Sequence, residues 1–197
     1  MMKAIIVALL ALHLCLSLKS PACDTLLFKG QASGWINLNP TIDMPVWIGA
    51  RYIPTVNYSI LVPKNNLIDF EVSANLNFNA GFHPFDSSYP DAALKPYRFW
   101  ARYSTNQLEI RIGLQKINFG SAVILRPLMW FDQLDPRDPL QLTNGVWALL
   151  GRYYFLNNAN LWFWGLYGNT QTKTWELAKT SEKTPEFGGR LQIPILK

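Results

Sequence analysis

The chain has 197 residues, enough for one domain. About half of them are apolar (49%) and only 16% are charged, well below the roughly 25% of soluble domains. The formal net charge of +5 is small and scattered, with no Lys/Arg block and no basic helix, which excludes a nucleic-acid-binding surface.

The first element in chain order is a secretory leader. Lys3 supplies the positive start. The run from Ala4 to Leu18 is apolar apart from His13, Cys15 and Ser17, and Ser20 and Ala22 are small residues placed for cleavage. The run is short for a spanning helix, so an uncleaved anchor is the lesser reading. Residues 1–22 are expected to be a signal peptide and residues 23–197 the mature domain. Cys15 would leave with the leader, and Cys23 would be the sole remaining cysteine, which rules out an internal disulfide. A cysteine at that position resembles the lipid-attachment site of bacterial lipoproteins. The usual leucine three residues before it is missing, so an ordinary free cysteine is expected.

Beyond residue 25 no long amphipathic helix is visible; alternation with a period of two recurs instead. "GQASGWINL" near residue 30 alternates weakly. In "VWIGARYIPTVNYSI", Val46, Ile48, Ala50, Tyr52, Pro54, Val56, Tyr58 and Ile60 oppose Trp47, Gly49, Arg51, Ile53, Thr55, Asn57 and Ser59. "DFEVSANLNFNAGF" sets Phe70, Val72, Ala74, Leu76, Phe78, Ala80 and Phe82 against Asp69, Glu71, Ser73, Asn75, Asn77, Asn79 and Gly81. "YRFWARYS" sets Tyr97, Phe99, Ala101 and Tyr103 against Arg98, Trp100, Arg102 and Ser104. In "LEIRIGLQ", Leu108, Ile110, Ile112 and Leu114 oppose Glu109, Arg111, Gly113 and Gln115. "GVWALLGRYYF" and "LWFWGLYG" are apolar on both faces, but their aromatic content favours strand. "FGGRLQIPI" closes the series, with Arg190 on its polar side. Eight strands result.

The connections alternate in length. "VPKNN", "STNQ" and "NNAN" are short polar turns. Residues 39–45, 83–95, 118–144 and 170–185 form long ones. An up-and-down antiparallel sheet, with short turns at one end and long loops at the other, gives this order.

A soluble sandwich also has two-faced strands. Its strands are shorter, however, and its outer face carries many Lys and Glu. Here the polar face is mostly Asn, Ser, Gly, Gln and Arg. Tyr58, Tyr97, Tyr103, Tyr153, Tyr154, Trp162 and Trp164 gather toward strand ends, as aromatic rings do at the lipid headgroup level. The five clean strands carry no charge on their apolar face, where a Lys or Arg at the bilayer midplane would cost about 2–4 kcal/mol. The expected fold is all-β, a transmembrane antiparallel up-and-down β-barrel, partial or small, with lipid against Phe70, Leu76 and Phe78.

The strand pattern and the order of turns resemble those of bacterial outer-membrane porin-type β-barrels over most of the mature chain. "RIGLQKINFGSAVILRPLMWFDQLDPRDPLQLTNGV" is similar to a strand–loop–strand unit of some large Gram-negative porin-like proteins. In those a "GRQ…WG" strand leads to an Asn/Asp-Pro loop; this chain has Leu114 in place of that Arg and Phe119 in place of that Trp. The resemblance implies an outer-membrane location, periplasmic short turns, extracellular long loops and the outer-membrane assembly machinery as a partner. Barrels of this type end on a terminal aromatic residue. The ending "PILK" on Lys197 is therefore read as an N-terminal portion of a larger barrel, incomplete at its C-terminus.

The candidate solute-facing residues are Arg51, Asp69, Glu71, Arg98, Arg102, Glu109, Arg111, Arg152 and Arg190. Arginines outnumber carboxylates among them, which attracts anions. The competing account is structural: the arginines pair with the carboxylates and brace a packed interior, as a narrow eight-stranded barrel requires. The 118–144 loop is a candidate inward constriction, with Arg126, Trp130, Asp132, Asp135, Arg137 and Asp138; a packed extracellular cap is the alternative. The spacing of the three aspartates does not match a calcium loop. His83, near Asp86, Ser87 and Ser88, is the one histidine outside the leader, and nothing specifies a catalytic pair. The expectation is a non-enzymatic, cofactor-free channel. It would contact membrane lipid and pass small polar or anionic solutes. The alternative is a non-conducting barrel that serves as anchor, adhesion surface or assembly component.

Overall fold

The computed structural model describes residues 24–39, 44–83, 88–118, 131, 133–134, 142–170, 181 and 183–195. The expected signal peptide, Cys15 and Cys23 lie outside these residues. The described chain is all-β: β1 (Asp24–Leu38), β2 (Val46–Val62), β3 (Asn66–Phe82), β4 (Ser88–Ser104), β5 (Leu108–Gln115), β6 (Gln133–Leu134), β7 (Thr143–Asn144), β8 (Val146–Tyr154), β9 (Asn160–Leu166) and β10 (Glu186–Gln192). β6 and β7 pair only with each other. The other eight form one sheet in the order β1-β2-β3-β4-β5-β8-β9-β10. Strand neighbours are therefore sequence neighbours, as an up-and-down connection requires. β1 and β10 stand at the two ends of that order, so the sheet does not close on itself.

Each short turn has a local cause. Between β2 and β3, Lys64 and Asn65 both take positive φ (70° and 59°), the backbone of a two-residue hairpin turn that matches strand twist. Between β4 and β5 the Thr105 hydroxyl accepts the backbone N–H groups of Gln107 and Leu108, at 3.3 and 2.9 Å. Between β8 and β9, Asn158 takes φ 63° while the Phe155 N–H donates to the Ala159 carbonyl at 2.8 Å. Asn tolerates this left-handed conformation better than most residues.

Two expectations about the strands are corrected. The connection expected over 83–95 is mostly strand: β4 begins at Ser88. Pro90, Asp91, Lys95 and Pro96 gave that segment a loop-like composition. Strand length is also uneven. β2, β3 and β4 have 17 residues each, whereas β5 has 8 and β9 and β10 have 7. The latter three fall short of the nine to eleven residues of a typical crossing strand.

The chain divides into two compact units, Met1–Tyr58 with Val72–Tyr97, and Ser59–Glu71 with Arg98–Lys197. In the second unit the core is an apolar cluster of Ile117, Phe131, Val146, Ala148, Leu150, Trp162, Trp164 and Leu166. It explains why β8 and β9 read as apolar on both faces: one side is packed under Ile117 and Phe131. Trp162 and Trp164 belong to this cluster and are buried, so they are not aromatic rings at a lipid boundary.

Along β3 and the strands of the second unit, burial is the reverse of that in a water-soluble sheet, whereas both rows of β1 and of the start of β4, with Asp91 and Lys95 on the row of Tyr97 and Phe99, are largely exposed. The apolar row of β3 is exposed at Phe70, Val72, Leu76, Phe78 and Phe82, while Asp69 and Ser73 on its other row are buried. In the second unit, Ile110, Ile112, Leu149, Leu161, Phe163, Phe187 and Leu191 are exposed, Phe187 by 71%. Arg98 and Gln115 are buried, with 7% and 0% exposure. The two sides are called here the open face and the covered face. The charge on the open face of β1 is at the strand's start, where Asp24 accepts a hydrogen bond from the Tyr58 hydroxyl at 3.1 Å.

Candidate functional site

Register places most of the predicted charged residues of the second unit side by side. Ser104 on β4 faces Glu109 on β5, Glu109 faces Arg152 on β8, Arg152 faces Trp162 on β9, and Trp162 faces Arg190 on β10. One step along, Arg102 faces Arg111, and Arg111 faces Leu150. Directly opposed residues project from the same side of a sheet, so these two rows share the covered face.

The groups in these rows hold one another. Glu109 Oε1 accepts hydrogen bonds from Arg111 at 2.9 Å and from Arg152 at 3.3 Å. Asp69 Oδ2 accepts from Arg102 Nε at 2.8 Å and Nη2 at 2.6 Å, and its Oδ1 accepts from the Ser59 hydroxyl at 2.7 Å. Both carboxylates are thus multiply satisfied, as buried charge requires. Arg98 Nη2 donates to the Thr143 carbonyl at 3.0 Å, which ties β4 to β7.

Aromatic rings complete the rows. The Arg152 and Arg190 guanidinium carbons lie 4.0 and 5.2 Å from the centre of the Trp162 ring. Those of Arg111 and Arg102 lie 4.6 and 5.6 Å from Trp100. All four fall within the reach of a cation–π contact. In the first unit Arg51 stands 5.6 Å over Trp35, and its Nε donates to Asn77 Oδ1 at 3.2 Å.

Every strand residue expected to face solute is described, and each falls on its strand's polar row. The spacing gave the face; it did not give the partners. Trp100, Ser59 and Asn77 were not singled out, although alternation puts them on this side; Trp162 was expected at the lipid headgroup level, and register places it between Arg152 and Arg190 instead. Glu186 was also missed. It directly faces Leu166 and shares the alternation of Arg190, so it belongs to the covered face. In the second unit Arg98, Arg102, Arg111, Arg152 and Arg190 therefore stand against Asp69, Glu71, Glu109 and Glu186, a nearly balanced set. In the first unit Lys29 falls on the same alternation as Trp35, and so lies on the side of β1 that meets Arg51.

Leu114 departs from its expected row. It is buried, unlike Ile110 and Ile112. The preceding Gly113 takes φ 121°, and a Cβ there would collide with the Phe99 carbonyl oxygen. This local twist ends the regular alternation of β5. Gln115 is sealed just beyond, its Nε2 donating to the Ala148 carbonyl at 2.9 Å and the Arg111 carbonyl at 3.2 Å.

Arg126, Trp130, Asp132, Asp135, Arg137 and Asp138 lie outside the described residues. Phe131, from the same connection, is described. It is buried and packs edge-on against Trp164, with ring centres 5.5 Å apart. Asp86 and Ser87 also lie outside the described residues; His83 and Ser88 are exposed. Among the described residues no three His, Cys, Asp or Glu side chains are grouped as metal ligands.

No known family model, curated protein or solved structure matches this chain.

Proposed function

We propose that this chain forms part or all of an outer-membrane β-barrel that passes small polar solutes, with a preference for anions. The observation that carries this reading is the inverted burial of the strands. Phe70, Val72, Ile112, Leu149, Phe163 and Phe187 are exposed, while Arg51, Asp69, Arg98 and Gln115 are buried. Water-soluble monomers rarely expose contiguous apolar patches above a few hundred Å². A lipid-facing surface has the opposite requirement: apolar side chains outward and polar ones inward. The free edges of β1 and β10 must then be paired in the membrane, because hydrocarbon offers no hydrogen bonds to open strands.

The anion preference rests on the covered face. Its arginines and Lys29 exceed its carboxylates, and a cationic wall raises local anion concentration. The excess is small in the second unit, where Glu186 offsets one arginine. Arg51 and Lys29 of the first unit add to it.

A second reading is favoured by the apolar cluster. Ile117 and Phe131 lie over β8 and β9, and such packing suits a plugged, non-conducting barrel that anchors or presents its loops to a partner. Planar-bilayer recording of the full-length protein tests both. The channel reading expects single-channel steps and a reversal potential, in a salt gradient, on the anion side. Insertion into vesicles without conductance would overturn that reading in favour of the plugged barrel. A monomer that stays in aqueous solution without detergent would overturn both.

A further inference from the structure

We propose that Trp100 and Trp162 are positioning residues for the arginines of the second unit, and that charge preference in passage depends on these uncharged rings. The charge-preference half rests on the channel reading above; the positioning half rests on geometry alone. Arg102 and Arg111 are directly opposed across β4 and β5, an arrangement of like charges that repels. Trp100 takes both onto its ring, at 5.6 and 4.6 Å. It stands opposite Gly113 in register, on the side of the sheet that carries Arg102 and Arg111. Trp162 stands in register between Arg152 and Arg190, at 4.0 and 5.2 Å, and so separates two further guanidinium groups.

The ring faces do something the carboxylates cannot. A carboxylate neutralises the arginine it holds. An indole holds the guanidinium through its quadrupole and leaves the charge in place. Glu109 already accepts from Arg111 and Arg152, and Asp69 from Arg102. If an indole is removed, its arginines lose the ring that covers and fixes them, and they move between open positions and the neighbouring carboxylates, Glu186 among them. The positive field over the covered face then weakens although no charge has been deleted.

The test compares wild type with Trp162→Ala, Trp162→Phe, Trp100→Ala and Trp100→Phe in the full-length protein. The first readout is the rate at which phenylglyoxal modifies each arginine, mapped by mass spectrometry of the vesicle-reconstituted protein. Arg152 and Arg190 should react several-fold faster in Trp162→Ala and at an intermediate rate in Trp162→Phe. Arg98, tied to the Thr143 carbonyl, serves as the internal reference. The second readout is the anion-to-cation permeability ratio in planar bilayers, expected to fall several-fold in the alanine variants and less in the phenylalanine variants. Equal modification rates in wild type and Trp162→Ala would overturn the positioning role. An unchanged permeability ratio alongside faster modification would overturn the link to charge preference. A wild-type protein that does not conduct would overturn the channel reading and that link together, and the modification rates would still decide the positioning role. If Trp162→Ala fails to assemble, the phenylalanine variants carry the same comparison.

Discussion

Asp69 on β3 holds Arg102 on β4 through a single oxygen: Oδ2 accepts from both Nε and Nη2, at 2.8 and 2.6 Å. Asp69 keeps only 8% of its side chain exposed, and Arg102 keeps 29%. Replacing Arg102 with Ala leaves a buried carboxylate that still accepts from the Ser59 hydroxyl but has lost both guanidinium hydrogen bonds. Breaking a buried pair by removing one partner costs about 3–5 kcal/mol, and the partial exposure of Arg102 puts this case near the low end. The expected outcome is a large fall in the denaturant midpoint of the reconstituted protein. Replacing Asp69 with Asn in the Arg102→Ala background should recover part of it, because the stranded charge is then gone. A midpoint unchanged by Arg102→Ala would show that the pair contributes nothing to stability.

A different substitution reads the solvent on the open face. Leu149 faces Ile112 on β5 and Gly165 on β9, in the middle of the exposed apolar surface. Arg at a lipid-facing midplane position costs about 2–4 kcal/mol, falling to about 0–1 near the interface. The same change on a water-exposed surface stays within about 0.5 kcal/mol. Leu149→Arg should therefore destabilise strongly, and Tyr167→Arg, just past the end of β9, only slightly. Unfolding titrations in lipid vesicles measure both. Equal, small effects at the two positions would place water against this face.

The two-sidedness of the strands was legible because alternation is a local property. Phe70, Val72, Leu76 and Phe78 announce their common side without any knowledge of their neighbours. Partner identity is not local. That Glu109 holds Arg152, or that Trp162 separates two arginines, depends on the register of three strands, which the spacing within any one strand does not fix. β8 and β9 were ambiguous for a related reason. Their second apolar side is packed under Ile117 and Phe131, residues well removed from β9 in sequence. The start of β4 was missed because Pro90 and Pro96 weigh against strand in composition. Gly113 looked like any small residue of a polar row, and only its φ of 121° shows that it ends the alternation.

Asn169 supplies a prediction about the end of β8. Its side-chain amide completes the backbone of Trp147: Oδ1 accepts the Trp147 N–H at 2.8 Å, and Nδ2 donates to the Trp147 carbonyl at 3.0 Å. One side chain thus continues the ladder of β9 beyond Leu166. Asn169→Ala should cost about 1–2 kcal/mol, two ordinary hydrogen bonds in a part-exposed place. Asn169→Asp should keep the acceptor and lose the donor. Hydrogen exchange at the Trp147 amide is expected to accelerate in the alanine variant and to stay close to wild type in the aspartate one. Equal acceleration in both would mean that the bond to the Trp147 N–H is not what protects it.

Phe131 separates the conducting and plugged readings at a single side chain. Its ring is buried at 5% exposure and meets Trp164 edge-on, so this point of the long connection is held against the covered face. Truncating a buried Phe to Ala typically costs about 3–5 kcal/mol. That cost is expected to fall on the docking of the connection, because the β5, β8 and β9 ladders do not depend on it. Phe131→Ala should make the connection more sensitive to protease added on the loop side. If the connection narrows an open passage, single-channel conductance should rise while the protein stays folded. If the cluster seals the interior, wild type conducts nothing and the variant opens only intermittently. A variant identical to wild type in both proteolysis and conductance would show that the connection is fixed by contacts other than the one between Phe131 and Trp164.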